Sequence, residues 1–257
     1  MELLLICSVA FLASGLTLFS GFGLGTLLLP VFGLFFPLEV AIAMTAIVHF
    51  LNNIFKLLLF KKHINLPVVL NFGLPSVLAA FAGAFLLNQL GKGTPLTSYV
   101  LAGNTYFITI LKVVIGLLMI IFALFELVPA LKRLSIDKKF LPLGGLLSGF
   151  FGGLSGHQGA LRSVFLLRLK LSKEQFIATG IAIACMIDVS RLSVYAINIQ
   201  QSARSLNYSW LIAATAAAFA GAWLGNKLLK KITVSLLQYI VAIFIILFSI
   251  ALIAGIV

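Results

Sequence analysis

Charged side chains make up only 9% of this 257-residue chain, and acidic ones are the scarcest, with six Asp and Glu in all. A soluble domain carries roughly 25% charged residues, so the sequence has too few to cover a water-exposed surface. Apolar residues reach 62%, and the mean hydropathy is +1.20. The composition therefore predicts an integral membrane protein, because an apolar exterior is stable in lipid.

Cysteine is also scarce, and the motifs of soluble enzymes are missing. Cys7 and Cys185 both fall in apolar runs, without the spacing of metal ligands. The chain has no Walker A loop, no HExxH pair and no Cys/His cluster. Asp188 is the only carboxylate predicted at the centre of a helix, which argues against divalent-cation transport. We therefore expect no enzyme activity, no metal and no cofactor.

Basic residues outnumber acidic ones, and the net charge is +12. In a soluble protein this excess would indicate nucleic acid, but here the basic residues cluster between apolar runs. That placement is typical of loops held on the cytoplasmic side of a membrane. The expected partners are the lipid bilayer and a small anionic substrate, without nucleic acid. The sequence is also compatible with a homo-oligomer.

The apolar runs divide into two kinds. Six are long enough to span a bilayer as one helix, which takes about 20 residues. They are 40–60, 66–87, 107–127, 175–199, 208–229 and 235–257. Two others, at 3–36 and 141–167, are interrupted by the glycine-rich stretches 20–25 and 152–159. Each of these predicts two short helical arms joined by a break.

The two halves of the chain repeat each other. The run Ala80–Leu90 matches Ala218–Leu228 at eight of eleven positions. The fold class predicted is therefore all-α integral membrane, with two inverted repeats that each consist of a glycine-broken hairpin segment and three transmembrane helices. The first repeat covers 1–128, a cytoplasmic connection covers 129–140, and the second repeat covers 141–257.

The positions of the basic residues favour hairpins over single crossings for the broken segments. Fourteen Lys and Arg lie near loops. If each broken segment crosses once, they split seven to seven between the two faces. If each is a hairpin, twelve share one face and only Lys92 and Arg204 lie opposite, as the positive-inside bias requires. The hairpin topology makes the two halves inverted copies, an arrangement typical of transporters.

The second break contains the richest group of candidate substrate ligands. Backbone freed by a break must line a cavity or be buried in protein, and helix arms that begin there point N–H groups at the membrane centre. Arg162 either coordinates an anion or bonds freed carbonyls, and His157 is a substrate donor, a proton carrier or a helix cap. The remaining candidates at the two breaks are Ser155, Gly156, Gln158, Ser20 and Gly21.

A second group of candidates is related by the repeat. Asn53 and Lys56 pair with Asp188 and Arg191 at an offset of 135, and both pairs have i,i+3 spacing. We assign Asn53, Lys56 and Arg191 to substrate binding, and Asp188 and His49 to proton coupling. The alternative for Asp188 and Arg191 is an ion pair that only fixes packing.

These features resemble the sulfite exporter TauE/SafE family over nearly the whole chain. A glycine-rich break is followed by Pro30 and by Pro37–Thr45 (PLEVAIAMT) entering a helix, and Gly149–Thr179 repeats the layout. The resemblance implies a multi-pass inner-membrane transporter of sulfite, sulfonates or related organosulfur anions. His157, Gln158 and Arg162 stand where the family has plainer residues.

The sequence thus predicts a proton-coupled secondary transporter of a small anion in the cell inner membrane. A passive anion channel is one alternative, distinguished by flux that does not saturate and ignores a proton gradient. The other alternative is a membrane sensor or partner subunit without transport.

The hairpin topology predicts that both termini lie outside the cytoplasm. A reporter that is active only in the cytoplasm, fused after Val257, should remain inactive. The same reporter inserted in the basic loop at Lys61–His63 should be active, which controls for expression. Activity of the C-terminal fusion would show that at least one broken segment crosses the membrane once.

Overall fold

The computed structural model of the chain describes residues 1–17, 23–128, 136–202, 207–228 and 235–257. Helices dominate those ranges. In chain order they are α1 (Glu2–Leu16), α2 (Leu24–Gly33), α3 (Leu38–Phe60), α4 (Leu66–Gly91), α5 (Ile110–Leu127), α6 (Leu141–Ser155), α7 (Gly159–Leu166), α8 (Lys173–Ser202), α9 (Tyr208–Leu228) and α10 (Ser235–Ile253).

Four helical segments within the described ranges are long and apolar enough to cross a membrane. They are Leu38–His63, Leu66–Gly91, Lys173–Ile197 and Tyr208–Gly225. Large apolar side chains point outward from these helices and from others, as lipid contact requires; Leu78 and Ile212 are both 71% exposed. The prediction of an all-α integral membrane protein is confirmed at this level.

A β-hairpin between α4 and α5 departs from the purely helical prediction. Strand β1 (Thr97–Leu101) pairs antiparallel with β2 (Asn104–Ile108), and the turn between them contains Gly103 with a φ of 82°. Such tight turns need positive φ, which glycine adopts without strain. Because the strand takes the first residues of the predicted 107–127 span, helix α5 begins at Ile110.

Both apolar segments predicted to be broken consist of two short helices. α1 and α2 have 15 and 10 residues, and α6 and α7 have 15 and 8. At 1.5 Å per residue the longest of these is about 22 Å, which is shorter than the roughly 30 Å hydrocarbon layer. α2 packs against α1, and α7 packs against α6.

The repeated small-residue runs bring helices of different halves into close contact. α4 packs against α6, and α9 packs against α1. A Cβ at Gly83 would lie 2.0 Å from the carbonyl oxygen of Phe150, and one at Gly221 would lie 2.0 Å from that of Phe11. Only glycine permits backbones to approach this closely, so the two runs act as packing surfaces.

Helices α3 and α8 pack against each other and carry half of the polar side chains that are buried in the described ranges. The burial of so many polar groups among apolar helices requires that they satisfy one another or a ligand. On these two helices the buried polar residues are Thr45, His49, Asn52, Asn53, Lys56, Thr179, Asp188, Ser190 and Arg191.

Candidate functional site

The carboxylate of Asp188 is fully buried and receives donors from α3, α8 and the second break. His49 Nδ1 lies 2.7 Å from Oδ2, and Asn53 Nδ2 donates to the same oxygen at 3.3 Å. Gln158 Nε2 donates to Oδ1 at 3.2 Å. Arg191 reaches Oδ1 with Nε at 3.0 Å and with Nη2 at 2.8 Å. The charge is thus paired, and both oxygens are hydrogen-bonded, as a buried carboxylate requires.

Helical spacing explains why these side chains meet. Asp188 and Arg191 are three residues apart on α8, and His49 and Asn53 are four apart on α3, so each pair shares one face of its helix. The packing of α3 on α8 then brings the two faces together. Gln158 joins them from the residue before α7, and its side chain bonds Asp188 and Arg162 rather than the first N–H groups of that helix.

The ring of His49 lies between Asp188 and Asn53, and its Nε2 is 3.4 Å from Asn53 Nδ2. Its shortest contact is from Nδ1 to Asp188, so we assign the Nδ1–H tautomer, with that N–H donating to the carboxylate. Nε2 is then an acceptor on the side of the first break, where it would lie 3.9 Å from a Cβ at Gly23. Burial opposes a proton at Nε2, as do the positive charges of Arg191 and Lys56, whereas the adjacent carboxylate of Asp188 stabilises it.

Lys56 contacts the end of α1 and lies outside the hydrogen-bond network of Asp188. Its Nζ donates to the carbonyl oxygen of Ser14 at 3.1 Å and to Thr17 Oγ1 at 3.2 Å. The last carbonyls of a helix have no partner within the helix and carry partial negative charge. Lys56 therefore compensates the interruption of the first segment, in addition to any contact with substrate.

Arg191 lies against the end of α6 in a comparable way. Gly156 ends that helix in the left-handed region, with a φ of 81°, and a Cβ there would lie 2.7 Å from Arg191 Nη1. Tyr195, one turn further along α8, donates its hydroxyl hydrogen to the carbonyl oxygen of Gly153. Glycine at 156 thus allows the left-handed turn that ends α6, and it leaves room for the guanidinium of Arg191.

Ser155 and His157 form hydrogen bonds with each other and with the backbone at the end of α6. Ser155 Oγ donates to the carbonyl oxygen of Phe151 at 3.0 Å. His157 Nδ1 lies 3.1 Å from the Ser155 carbonyl oxygen, and its ring stacks on Phe122 with the centroids 5.5 Å apart. The buried His157 Nε2 has no hydrogen-bond partner in the described part of the chain. If the proton is on Nδ1, Nε2 carries a lone pair and can accept a hydrogen bond but not donate one.

Arg162 is the cation with the most unused donors at the second break. Its Nη1 donates to Gln158 Oε1 at 3.2 Å, and its Nε would lie 3.3 Å from a Cβ at Gly180. That is the one hydrogen bond of its guanidinium within the described ranges. Gln158 therefore links Arg162 to Asp188, accepting from one and donating to the other.

The two breaks meet beside this network. A Cβ at Gly25, in the first turn of α2, would lie 3.8 Å from the carbonyl oxygen of Gly156, 3.6 Å from Thr45 Cγ2 and 3.7 Å from His49 Cδ2. Sequence reasoning did not select Thr45 or Gly25 as site residues, although Thr45 ends the Pro37–Thr45 run. Ser20 and Gly21, predicted to contribute from the first break, lie outside the described residues.

The comparison with protein families decides what kind of protein this is. The family model described as Sulfite exporter TauE/SafE matches residues 6–252. The chain belongs to this family. Its members are membrane transporters, so the resemblance and the transport class predicted from the sequence are confirmed. A comparison with curated proteins gives no match.

Proposed function

We propose that this TauE/SafE protein is a proton-coupled secondary transporter of sulfite, a sulfonate or a related organosulfur anion in the cell inner membrane. We choose an anion as the substrate because of the excess positive charge around the breaks. Lys56, Arg162 and Arg191 lie near the breaks, where Asp188 is the one carboxylate of the described network. A bound anion compensates the remaining positive charge, which is costly within a membrane.

We further propose that the two halves are inverted repeats that place the breaks at the membrane centre. The reciprocal packing of α4 with α6 and of α9 with α1 supports this arrangement, as does the pairing of α3 with α8 and of α5 with α10. The close approach of Gly25 to Gly156, where a Cβ at Gly25 would lie 3.8 Å from the Gly156 carbonyl oxygen, supports a common site for both breaks. Discontinuous helices around a central site are the usual architecture of secondary transporters.

In this proposal His49 carries the coupled proton and Asp188 is its fixed counterion. Asp188 is held by Arg191, Gln158 and Asn53 whether or not His49 is charged. His49 Nε2 lies next to the first break, and its one hydrogen-bond contact within the described ranges is a long one of 3.4 Å to Asn53 Nδ2. Protonation there adds one positive charge beside the anion, so the anion and the proton stabilise each other's binding.

The first prediction of this proposal concerns Arg162, whose positive charge beside the second break should strengthen binding of the anion. Arg162→Gln keeps hydrogen-bond donors but removes the charge. Because a hydrogen bond to a charged group contributes roughly 1.5–3 kcal/mol, sulfite affinity should fall about ten- to a hundredfold. Arg162→Lys should restore part of this loss, since lysine lacks the planar fork of the guanidinium. Calorimetry on protein purified in detergent measures both.

Arg168→Gln is the matched control, because Arg168 is an exposed arginine just beyond α7. It should bind sulfite as the unmodified protein does. A folded Arg162→Gln variant with unchanged affinity would remove Arg162 from the site. It would leave Lys56 and Arg191 as the candidates for the cation.

The second prediction concerns coupling through His49. His49→Gln keeps an N–H donor for Asp188 but cannot take up a proton at neutral pH. Sulfite uptake into proteoliposomes should lose its acceleration by a proton gradient. His63→Gln is the control, since His63 is exposed after α3. Gradient-dependent uptake that persists in His49→Gln would contradict this role, and uptake that ignores the gradient in the unmodified protein would indicate a channel.

A further inference from the structure

We propose that the anion binds where the two breaks meet, between the guanidinium of Arg191, the hydroxyl of Thr45 and the N-terminus of α2. The ligand class is a small oxyanion with several acceptor oxygens, such as sulfite or the head group of a sulfonate. The inference rests on the proposed function, because it locates the anion that the function transports.

Two buried polar groups at this point lack partners. Thr45 is 3% exposed and Arg191 is 0% exposed. Thr45 Oγ1 and Arg191 Nη1 make no hydrogen bond to any described residue. Buried donors are nearly always paired, and leaving them unpaired destabilises a fold. A ligand that accepts hydrogen bonds from both removes this penalty.

The first turn of α2 adds backbone donors to the same place. Gly23 precedes the helix and has no side chain to accept from its first N–H groups. Those N–H groups, with the positive end of the helix dipole, favour an anion. Gly25 belongs to this turn and lies against Thr45, His49 and Gly156. The N-terminus of α2 thus lies beside the Thr45 side chain, whose methyl group is the nearer atom, and beside Gly156, against which Arg191 Nη1 lies.

Gly25 and Gly156 keep side chains out of this site. The Cβ of an alanine at Gly156 would strike Arg191 Nη1, and the φ of 81° strains any side chain there. An alanine at Gly25 would make contacts of 3.6–3.8 Å, which are ordinary van der Waals distances. Gly25→Ala therefore adds a methyl group to the site without disturbing the fold.

The test uses Thr45→Val, which keeps the shape of the side chain and removes the hydroxyl. Its affinity for sulfite, measured by calorimetry in detergent, should fall about tenfold or more, because an oxyanion loses one donor. Its Tm without sulfite should rise by roughly 2–4 °C, because an unpaired buried hydroxyl has been removed. Thr215→Val on α9 is the control, since the Thr215 hydroxyl is also buried and unpaired within the described ranges. It should show the rise in Tm with unchanged affinity.

Gly25→Ala is the second variant, and it should also fold normally and bind sulfite at least tenfold more weakly. Sulfite binding by Thr45→Val and Gly25→Ala equal to that of the unmodified protein would overturn the proposed site. If Arg162→Gln still bound weakly in that case, the proposed function would stand with the anion held elsewhere. A lower Tm for Thr45→Val would show that its hydroxyl has a protein partner, which also overturns the site. Failure of the unmodified protein to bind either sulfite or a sulfonate would overturn the proposed function itself.

Discussion

The buried carboxylate of Asp188 is the constraint on which the centre of this protein depends. It joins α8 to α3 through His49 and Asn53, and to the second break through Gln158. Arg191 supplies the compensating charge. Removing one member of such a pair leaves an uncompensated buried charge, which typically destabilises a protein by about 3–5 kcal/mol. Asp188 therefore fixes the geometry around which the other polar groups are arranged.

The two breaks leave helix ends inside the protein, and basic side chains compensate the partial negative charge of those ends. Lys56 donates to the last turn of α1, and Arg191 lies against Gly156 at the end of α6. These two positions are related by the repeat, at an offset of 135. The cations stabilise the negative ends of α1 and α6, while the positive end of α2 faces the space beside them. The proposed anion-binding centre rests on this arrangement of charges around the breaks.

Helical periodicity made part of this centre predictable. The i,i+3 spacing placed Asp188 and Arg191 on one face, and they form an ion pair. Contacts between distant segments were not predictable, because nothing local specifies them. Lys56 bonding to Ser14 is one example, and Thr45 lying against Gly25 is another. The hairpin of β1 and β2 was not predicted, because its apolar residues are as common in helices as in strands.

Locating the anion tests the central claim most directly. Selenite has the shape and acceptor oxygens of sulfite, and selenium scatters X-rays anomalously. Crystals of the protein grown with selenite should show an anomalous peak beside Gly156, within reach of Arg191 and Thr45. A bound selenite far from Asp188 and both breaks, for example at the basic loop Lys61–His63, would contradict the account.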